Sequence, residues 1–437
     1  MNLPEYVLEC LDALENAGFA AYMVGGCVRD ACLGLTPHDF DLCTSALPEQ
    51  TEAVFANRRL VLAGKKHGTV GVVFGNDVVE ITTFRTEGDY RDNRHPDRVE
   101  FVASIGADLS RRDFTVNAMA FSPSRGLVDP FGGENDLKNH ILRAVGDPFA
   151  RFREDSLRIL RGVRFSVRFG LHPEEKTLLA MSELSCLIDN LARERVFEEL
   201  CKLLPLVHAQ DLLTFAPVLT AAVPELAPCV GFDQCTPYHA FDIYTHTAHV
   251  TGNIPPEPAL RWAALLHDVG KVPTFSLDET GRGHFYGHAK VSAQMADTIL
   301  HRLKAPNQLR EKVVGLIDLH MTKITPEKKT VRRWLCRLGL ERMENLLTLQ
   351  EVDMGSKGTG RPQEMAQFDA IRSLIAQIQA ENACLTLKDL AVNGHDLLQL
   401  GYSGPEIGRI LNHMLEQVLD ETLPNEKRAL IDSLAET

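Results

Sequence analysis

Apolar and polar positions change their period once along this chain. Up to about residue 145, short apolar runs alternate with polar turns, the pattern of an α/β unit. A helical run over residues 6–17 opens it, and apolar strands follow at Tyr22–Val24, Thr69–Phe74, Val78–Thr83 and Val99–Val102. Gly75, Asn76 and Asp77 between two of these predict a hairpin. In "YMVGGCVRDACLGLTPHDFDLCTS" the first strand leads into a Gly25-Gly26 turn, a short helix carrying Arg29 and Asp30, and a strand bearing Asp39 and Asp41. The polar stretch Glu87 to Pro96 predicts a mobile loop, followed by "RRDFTVNAMAF" and by a glycine turn leading into a short helix.

From Phe152 the period becomes helical. In "REDSLRILRGVRFSVRF", Ile159, Leu160, Val163 and Val167 fall on one arc at ~100° per residue, with Arg158, Arg161, Arg164 and Arg168 opposite. This predicts one helix that packs one face and shows a row of arginines on the other. Pro217, Pro224, Pro228 and Pro237 punctuate a boundary, and the chain from about Thr330 is again helical and amphipathic.

Length and composition narrow the setting. The 437 residues, 44% hydrophobic, suffice for two to four domains. No segment reaches the ~18 apolar residues of a membrane span, and the N-terminus lacks the form of a signal peptide, so a cytosolic protein without a membrane partner is expected. The ten cysteines form no C-x-x-C pair and read as small buried hydrophobes. A net charge of −13 argues against a uniformly basic surface. Clusters from Arg85 to Arg112 and from Arg143 to Arg168 nevertheless predict a local basic groove for a polyanion.

The chemistry concentrates first around Asp39 and Asp41. Alternate residues of a strand face one way, so the two carboxylates can share a hard cation such as Mg²⁺, often held jointly with substrate phosphates. The glycines let backbone N–H groups approach a triphosphate, and Arg29 adds charge. Glu80, mid-strand in "VVEITTFR", reads equally as a third carboxylate at this site or as an edge-facing strand residue. Asp155 and Arg158, three apart on a helix, can present donor and acceptor groups to a base edge or form an ordinary salt bridge.

In order and spacing these motifs resemble the tRNA CCA-adding enzyme and poly(A) polymerase family, and within it the class II CCA-adding enzymes. The resemblance implies an α/β nucleotidyltransferase head with a mixed sheet and helices (1–145), a helical neck (146–225), an HD domain (226–328) and a helical tRNA-contacting region (329–437). It implies that tRNA, CTP and ATP are partners and that the protein itself selects the nucleotide. Gly26 and Arg29 match the triphosphate-binding residues, Asp39 and Asp41 the Mg²⁺ ligands, and Arg112 a nucleotide contact. Asp155, Arg158, Arg161 and Arg164 match the nucleotide-selecting helix, and Glu87 to Pro96 the flexible loop of full CCA enzymes.

A second constellation comprises His246, His267, Asp268, His288, Asp318 and His320. It resembles the HD superfamily of metal-dependent phosphohydrolases. Imidazole suits transition metals, and an adjacent buried His-Asp is hard to explain by packing because buried charge is costly unless paired or ligating. His246, His267, Asp268 and Asp318 are the expected ligands of a second divalent metal. Two functions follow: nucleotidyl transfer to the tRNA 3′ end, with poly(A) or A-only addition as its nearest rival, or metal-dependent phosphohydrolysis of nucleotides or RNA ends.

Overall fold

A mixed sheet positions the first group of candidate residues. The computed structural model describes residues 3–37, 39–87, 99–358 and 362–436. Its strands in the first part of the chain are β1 (Ala21–Val24), β2 (Asp41–Thr44), β3 (Leu60–Val61), β4 (Thr69–Phe74), β5 (Asp77–Thr83), β6 (Arg85–Glu87), β7 (Val99–Phe101), β8 (Ala120–Ser122) and β9 (Gly126–Val128). The main sheet runs β3-β4-β5-β2-β1-β8-β9, and β6 and β7 pair separately. In the main sheet β2 and β5 are parallel, whereas β1 is antiparallel to both β2 and β8.

The β4–β5 hairpin follows the expected alternation. Phe74 pairs with Asp77 across Gly75 and Asn76, and Gly75 takes the positive φ (59°) such a tight turn needs. Val79 and Ile81 point into the core while Val78 and Glu80 are exposed. Helices α1 (Glu5–Asn16), α2 (Gly26–Cys32), α3 (Pro48–Val54), α4 (Ile105–Ser110) and α5 (Gly133–Lys138) accompany the sheet. Tyr22, Val24, Cys43, Phe84, Leu109 and Ala120 share one core cluster beneath it. From residue 88 the expected flexible loop lies outside the described residues.

The helix expected from Phe152 is two helices, α6 (Pro148–Glu154) and α7 (Leu157–Phe169). Asp155 between them is extended (φ −141°, ψ 103°), and its Oδ1 accepts from the Leu157 amide at 3.0 Å. That short-range bond offers the backbone an alternative to continuing the helix. Nor does α7 present an open arginine face, because Arg158 and Arg164 are buried along with Ile159, Leu160 and Val163. The helices α8 (Glu175–Glu183), α9 (Arg193–Leu203), α10 (Ala209–Thr214) and α11 (Ala216–Ala222) follow.

The chain divides into two compact units, residues 1–207 with 214–224, and 208–213 with 225–437. The second contains α12 (Ile243–Asn253), α13 (Pro258–Leu266), α14 (His288–Arg302), α15 (Asn307–Leu319), α16 (Lys328–Leu338), α17 (Leu340–Gly355), α18 (Pro362–Ala380), α19 (Gly394–Gln399), α20 (Pro405–Leu419) and α21 (Lys427–Asp432). Among the described residues no helix is long and apolar enough to cross a membrane.

Candidate active site and metal centre

The glycine turn and the carboxylates lie at the ends of neighbouring strands. Gly25 closes β1 with φ 70° and ψ −124°, and a Cβ there would sit 2.8 Å from Arg112 Nη1. Both the positive φ and the close guanidinium therefore demand glycine. Gly26 opens α2, whose first amides have no intrahelical acceptor. Asp108, fully buried at the end of α4, accepts from Arg112 Nη2 at 3.3 Å and from Arg111 Nη2 at 3.0 Å. Among the described residues Arg112 Nε is buried without a hydrogen-bond partner.

Asp41 is the first residue of β2 and stands in register with Glu80 on β5. Asp39 lies just before the strand rather than on it, and all three residues are exposed. Parallel neighbours in register face the same side, which puts Glu80 beside Asp41 and favours the third-carboxylate reading. Partial burial of the Asp41 carboxyl, and then the charges of Glu80 and Asp39, raise its pKa; Arg112 pulls the other way. Such a set of mutually repelling oxygen donors fits a hard divalent cation.

Arg29 departs from its expected role. It is buried, donates from Nη2 to Asp30 Oδ1 at 2.6 Å and from Nη1 to Asn117 Oδ1 at 2.6 Å, and its guanidinium lies 4.2 Å from the Phe169 ring centroid. Burial lowers its pKa, with Asp30 opposing. Its donors are spent inside the protein rather than held open to a phosphate.

The arginines of α7 are also more engaged than the helical wheel implied. Arg158 and Asp155 do not pair: Arg158 Nη1 donates to Glu154 Oε2 (2.6 Å) and Arg151 O (3.0 Å), and Nη2 to Arg111 O (3.1 Å). Asp155 Oδ2 lies 3.5 Å from Arg195 Nη2. Glu154, four residues before Arg158, is a partner the sequence reading missed although the spacing displays it. Arg164 and Glu199 form a buried pair at 2.6 Å joining α7 to α9. Breaking such a pair typically costs about 3–5 kcal/mol, so Arg164 holds the fold here rather than facing a nucleotide. Arg161 donates from Nε to Asp113 Oδ2 (2.9 Å), with its Nη2 2.7 Å from the same oxygen, and remains about a third exposed. Among the described arginines of the expected basic groove, Arg111 and Arg112 pair with Asp108, and Arg143 with Asp136 and Glu174.

In the second unit buried side chains from separate helices converge. His246 comes from α12, His267 and Asp268 from the end of α13, His288 from the start of α14, His320 from the end of α15, and Asp353 from α17. Each imidazole Nδ1 faces a backbone carbonyl: His267 with Ala264 (2.8 Å), His288 with Phe285 (2.8 Å), His320 with Ile317 (2.6 Å) and His246 with Ser356 (3.3 Å). A carbonyl only accepts, so the hydrogen is on Nδ1 and the Nε2 lone pair points inward, the arrangement of metal-ligating histidines. His246 Nε2 lies 2.9 Å from Asp353 Oδ1, and His267 Nε2 3.1 Å from Asp268 Oδ2. Among the described residues Nε2 of His267, His288 and His320 is buried and meets no hydrogen-bond criterion.

Two triads share Asp268: His246, His267 and Asp268, and Asp268, His288 and His320. Imidazole nitrogens and carboxylate oxygens turned toward one another in a buried cluster fit a divalent transition metal. Burial and the neighbouring His267 push His320 down to about 4, and burial lowers His288. Burial alone would also lower His267, but Asp268 and Asp353 outweigh it. Both carboxyls lie well below the usual range: although burial opposes, His267 and Lys271 hold Asp268 down, and His246 and Lys357 hold Asp353 down.

Asp318 is not part of this cluster. It is exposed and lines a separate groove with Lys312 and Glu341. Residues two apart on a helix point roughly 200° apart, so turning His320 inward turns Asp318 outward; the carboxylate that joins Asp268 at the cluster is Asp353, 2.9 Å from His246 Nε2. Beside the cluster opens a pocket of about 230 Å³, lined by Asp268, Lys271, Asp353, Lys357, Arg282 and Tyr286 among others.

A glycine turn facing clustered carboxylates on a mixed sheet, followed by a helical neck, defines a nucleotidyltransferase head. The family model described as Poly A polymerase head domain matches residues 21–143. "Probable RNA and SrmB- binding site of polymerase A" matches residues 170–227, and "tRNA nucleotidyltransferase domain 2 putative" residues 284–434. The CCA-adding enzyme of Streptococcus sanguinis is 34% identical over 434 residues, 98% of this chain and 97% of that protein. That of Levilactobacillus brevis is 34% identical over 98% of this chain and 96% of its own. The crystal structure of the Bacillus stearothermophilus CCA-adding enzyme in complex with CTP matches with a TM-score of 0.74 at 30% identity, covering 100% of this chain and 98% of that one. The chain therefore belongs to the CCA-adding enzyme family, and it is a tRNA nucleotidyltransferase.

Proposed function

We propose that this cytosolic enzyme builds or repairs the 3′-terminal CCA of tRNA without a nucleic-acid template, taking CTP and then ATP. The observation that carries this reading is the juxtaposition of Asp41 with Glu80 in register, two residues after Asp39, beside a glycine turn overlain by Arg112. The terminal ribose hydroxyl attacks the α-phosphorus in line, a P–O bond forms, and pyrophosphate leaves. The first-turn amides after Gly25 and Gly26 and the Arg112 guanidinium bind the triphosphate and offset its charge. Mg²⁺ held by Asp39 and Asp41, with Glu80 adjacent, would supply Lewis acidity at the reacting phosphoryl oxygens. In this reading Asp155 and Arg158 supply acceptor and donor groups to the base edge, suited to the exocyclic amines of cytosine and adenine, with the buried Arg158 exchanging part of its bonding to Arg151 and Arg111 for the base. Glu154 fixes the Arg158 guanidinium, and Arg161 adds a partly exposed donor.

Asp155→Ala and Arg158→Ala test this assignment. Each is expected to reduce discrimination of CTP and ATP against UTP and GTP by at least about tenfold, the size of one charge-assisted hydrogen bond, with little change in thermal melting for Asp155→Ala and a lowered melting temperature for Arg158→Ala, whose buried guanidinium also bonds Glu154, Arg151 and Arg111. Unchanged selectivity with a lowered melting temperature would assign these residues to packing.

A second reading is supported by the inward Nε2 atoms of the histidine cluster. His246, His267, Asp268, His288, His320 and Asp353 would hold divalent transition metal, which when bound supplies an activated hydroxide for attack on phosphorus. Lys271, Lys357 and Arg282 in the adjoining pocket offer charge to a phosphate. Hydrolysis of phosphomonoesters or 2′,3′-cyclic phosphate ends is the corresponding activity.

A further inference from the structure

The two oxygens of Asp268 face separate pairs of histidines. Oδ2 lies 3.1 Å from His267 Nε2 and 3.6 Å from His246 Nε2, whereas Oδ1 lies 3.4 Å from His288 Nε2 and 4.0 Å from His320 Nε2. Asp353 Oδ1 joins the first pair, 2.9 Å from His246 Nε2 and 3.8 Å from His267 Nε2. Among the described residues the groups close enough to share one ion divide in the same way, and neither draws a histidine from each pair.

These separations are those of donors around an ion. Donors ~2.0–2.1 Å from a tetrahedral metal stand roughly 3.3 Å from one another, and the distances above fall on either side of that value. A hydrogen bond is shorter, about 2.7–3.2 Å, so His288 and His320 at 3.4 and 4.0 Å do not hold Oδ1 as protonated partners would. A carboxylate accepts at about four lone-pair positions on its two oxygens. Oδ2 can therefore meet both Lys271 Nζ, at 2.8 Å, and an ion, while Oδ1 is turned to the other pair.

The two positions differ in their donors. The first has two imidazoles and two carboxylates, from His246, His267, Asp268 and Asp353, the count of a closed tetrahedral site. The second has two imidazoles and one carboxylate oxygen, from His288, His320 and Asp268, the count that leaves a place for water or substrate. Of the four imidazoles in the cluster, His288 is the one that lines the adjoining pocket, together with Lys271 and Arg282.

We infer that the cluster takes two divalent transition-metal ions bridged by Asp268, one on His246, His267 and Asp353 and the other on His288 and His320, and that the second position is the one open to a phosphate oxygen from the pocket. This rests on the reading of the cluster as a metal centre and adds to it the number of ions and the side from which a substrate is met.

The test loads the full-length protein with Co²⁺, keeping Mg²⁺ in excess for the oxygen donors of the head, and compares it with a His288→Ala, His320→Ala double variant whose folding is checked by thermal melting. Metal analysis after equilibrium dialysis is expected to give about two Co²⁺ per chain in the unaltered protein and about one in the double variant. The unaltered protein alone provides a second measurement, so the test does not hang on the variant folding: ions sharing Asp268 give a spin-coupled EPR signal, not the sum of two isolated ions. Inorganic phosphate should shift the Co²⁺ absorption of the unaltered protein and leave that of the double variant unchanged. One Co²⁺ per chain in the unaltered protein, two without coupling, or a folded double variant that holds two or none overturns the inference while metal binding by the cluster stands. A phosphate shift that persists in the double variant, or is missing from both proteins, overturns the open position. No Co²⁺ in the unaltered protein removes the metal-centre reading as well.

Discussion

Replacing either Asp39 or Asp41 by alanine is expected to lower CTP and ATP incorporation by at least about a thousandfold, because charge stabilisation at a transferring phosphoryl group is worth several kcal/mol and each ~1.4 kcal/mol is a factor of ten. Binding of tRNA should survive, since removing a negative charge from a surface that meets phosphates does not weaken polyanion association. Both residues are exposed, so neither variant opens a cavity, and surface substitutions of this kind usually change stability by less than about 0.5 kcal/mol. Incorporation measured beside a tRNA-binding titration separates the two effects. More than trace incorporation in either variant would show that these carboxylates are not the cation ligands.

The second large effect concerns the histidine cluster. His267→Ala combined with Asp268→Ala should abolish transition-metal content and any hydrolysis of phosphomonoesters or 2′,3′-cyclic phosphates, while CCA addition continues at a comparable rate. Asp268 belongs to both triads, so no complete triad survives its loss. The unit that carries it is separate from the one holding Asp39 and Asp41. The substitution also removes the 2.8 Å partner of the buried Lys271 Nζ, leaving Gln234 at 2.9 Å, so some loss of melting temperature is expected. Metal analysis and both activities on one preparation decide the matter. A folded double variant that loses CCA addition together with hydrolysis contradicts the independence of the two sites.

What could be read from the chain follows the range of the interactions involved. The β4–β5 hairpin rests on neighbours and a two-residue turn, and its alternation announces it. The register of Asp41 with Glu80 joins parallel strands that are not consecutive, so Glu80 remained ambiguous until the sheet was seen. The wheel of α7 sorted apolar from basic positions correctly, but it could not show that Glu154, Asp113 and Glu199 come in to neutralise the basic side. Asp155 breaks the helix through a side-chain bond to the Leu157 amide that periodicity does not register. In the second unit the histidines stood out because paired His-Asp is costly to bury. Asp353 carried no such local mark: it is one carboxylate on an amphipathic helix far along the chain from His246, and only the packing of α17 brings it to the cluster. Asp318 was part of the constellation that resembles the HD superfamily, and the helix that brings His320 inward turns it to the outer face.

The most direct test is to supply tRNA transcripts ending at the discriminator base, at C or at CC with CTP and ATP, singly and together. The account predicts that CTP alone extends the first two to CC and stops, that ATP alone adds one A to the CC end, and that both together bring all three to CCA and no further. Runs of A on any end, or A addition to CC with no incorporation of C on the shorter transcripts, would contradict it and assign the chain to poly(A) or A-only addition.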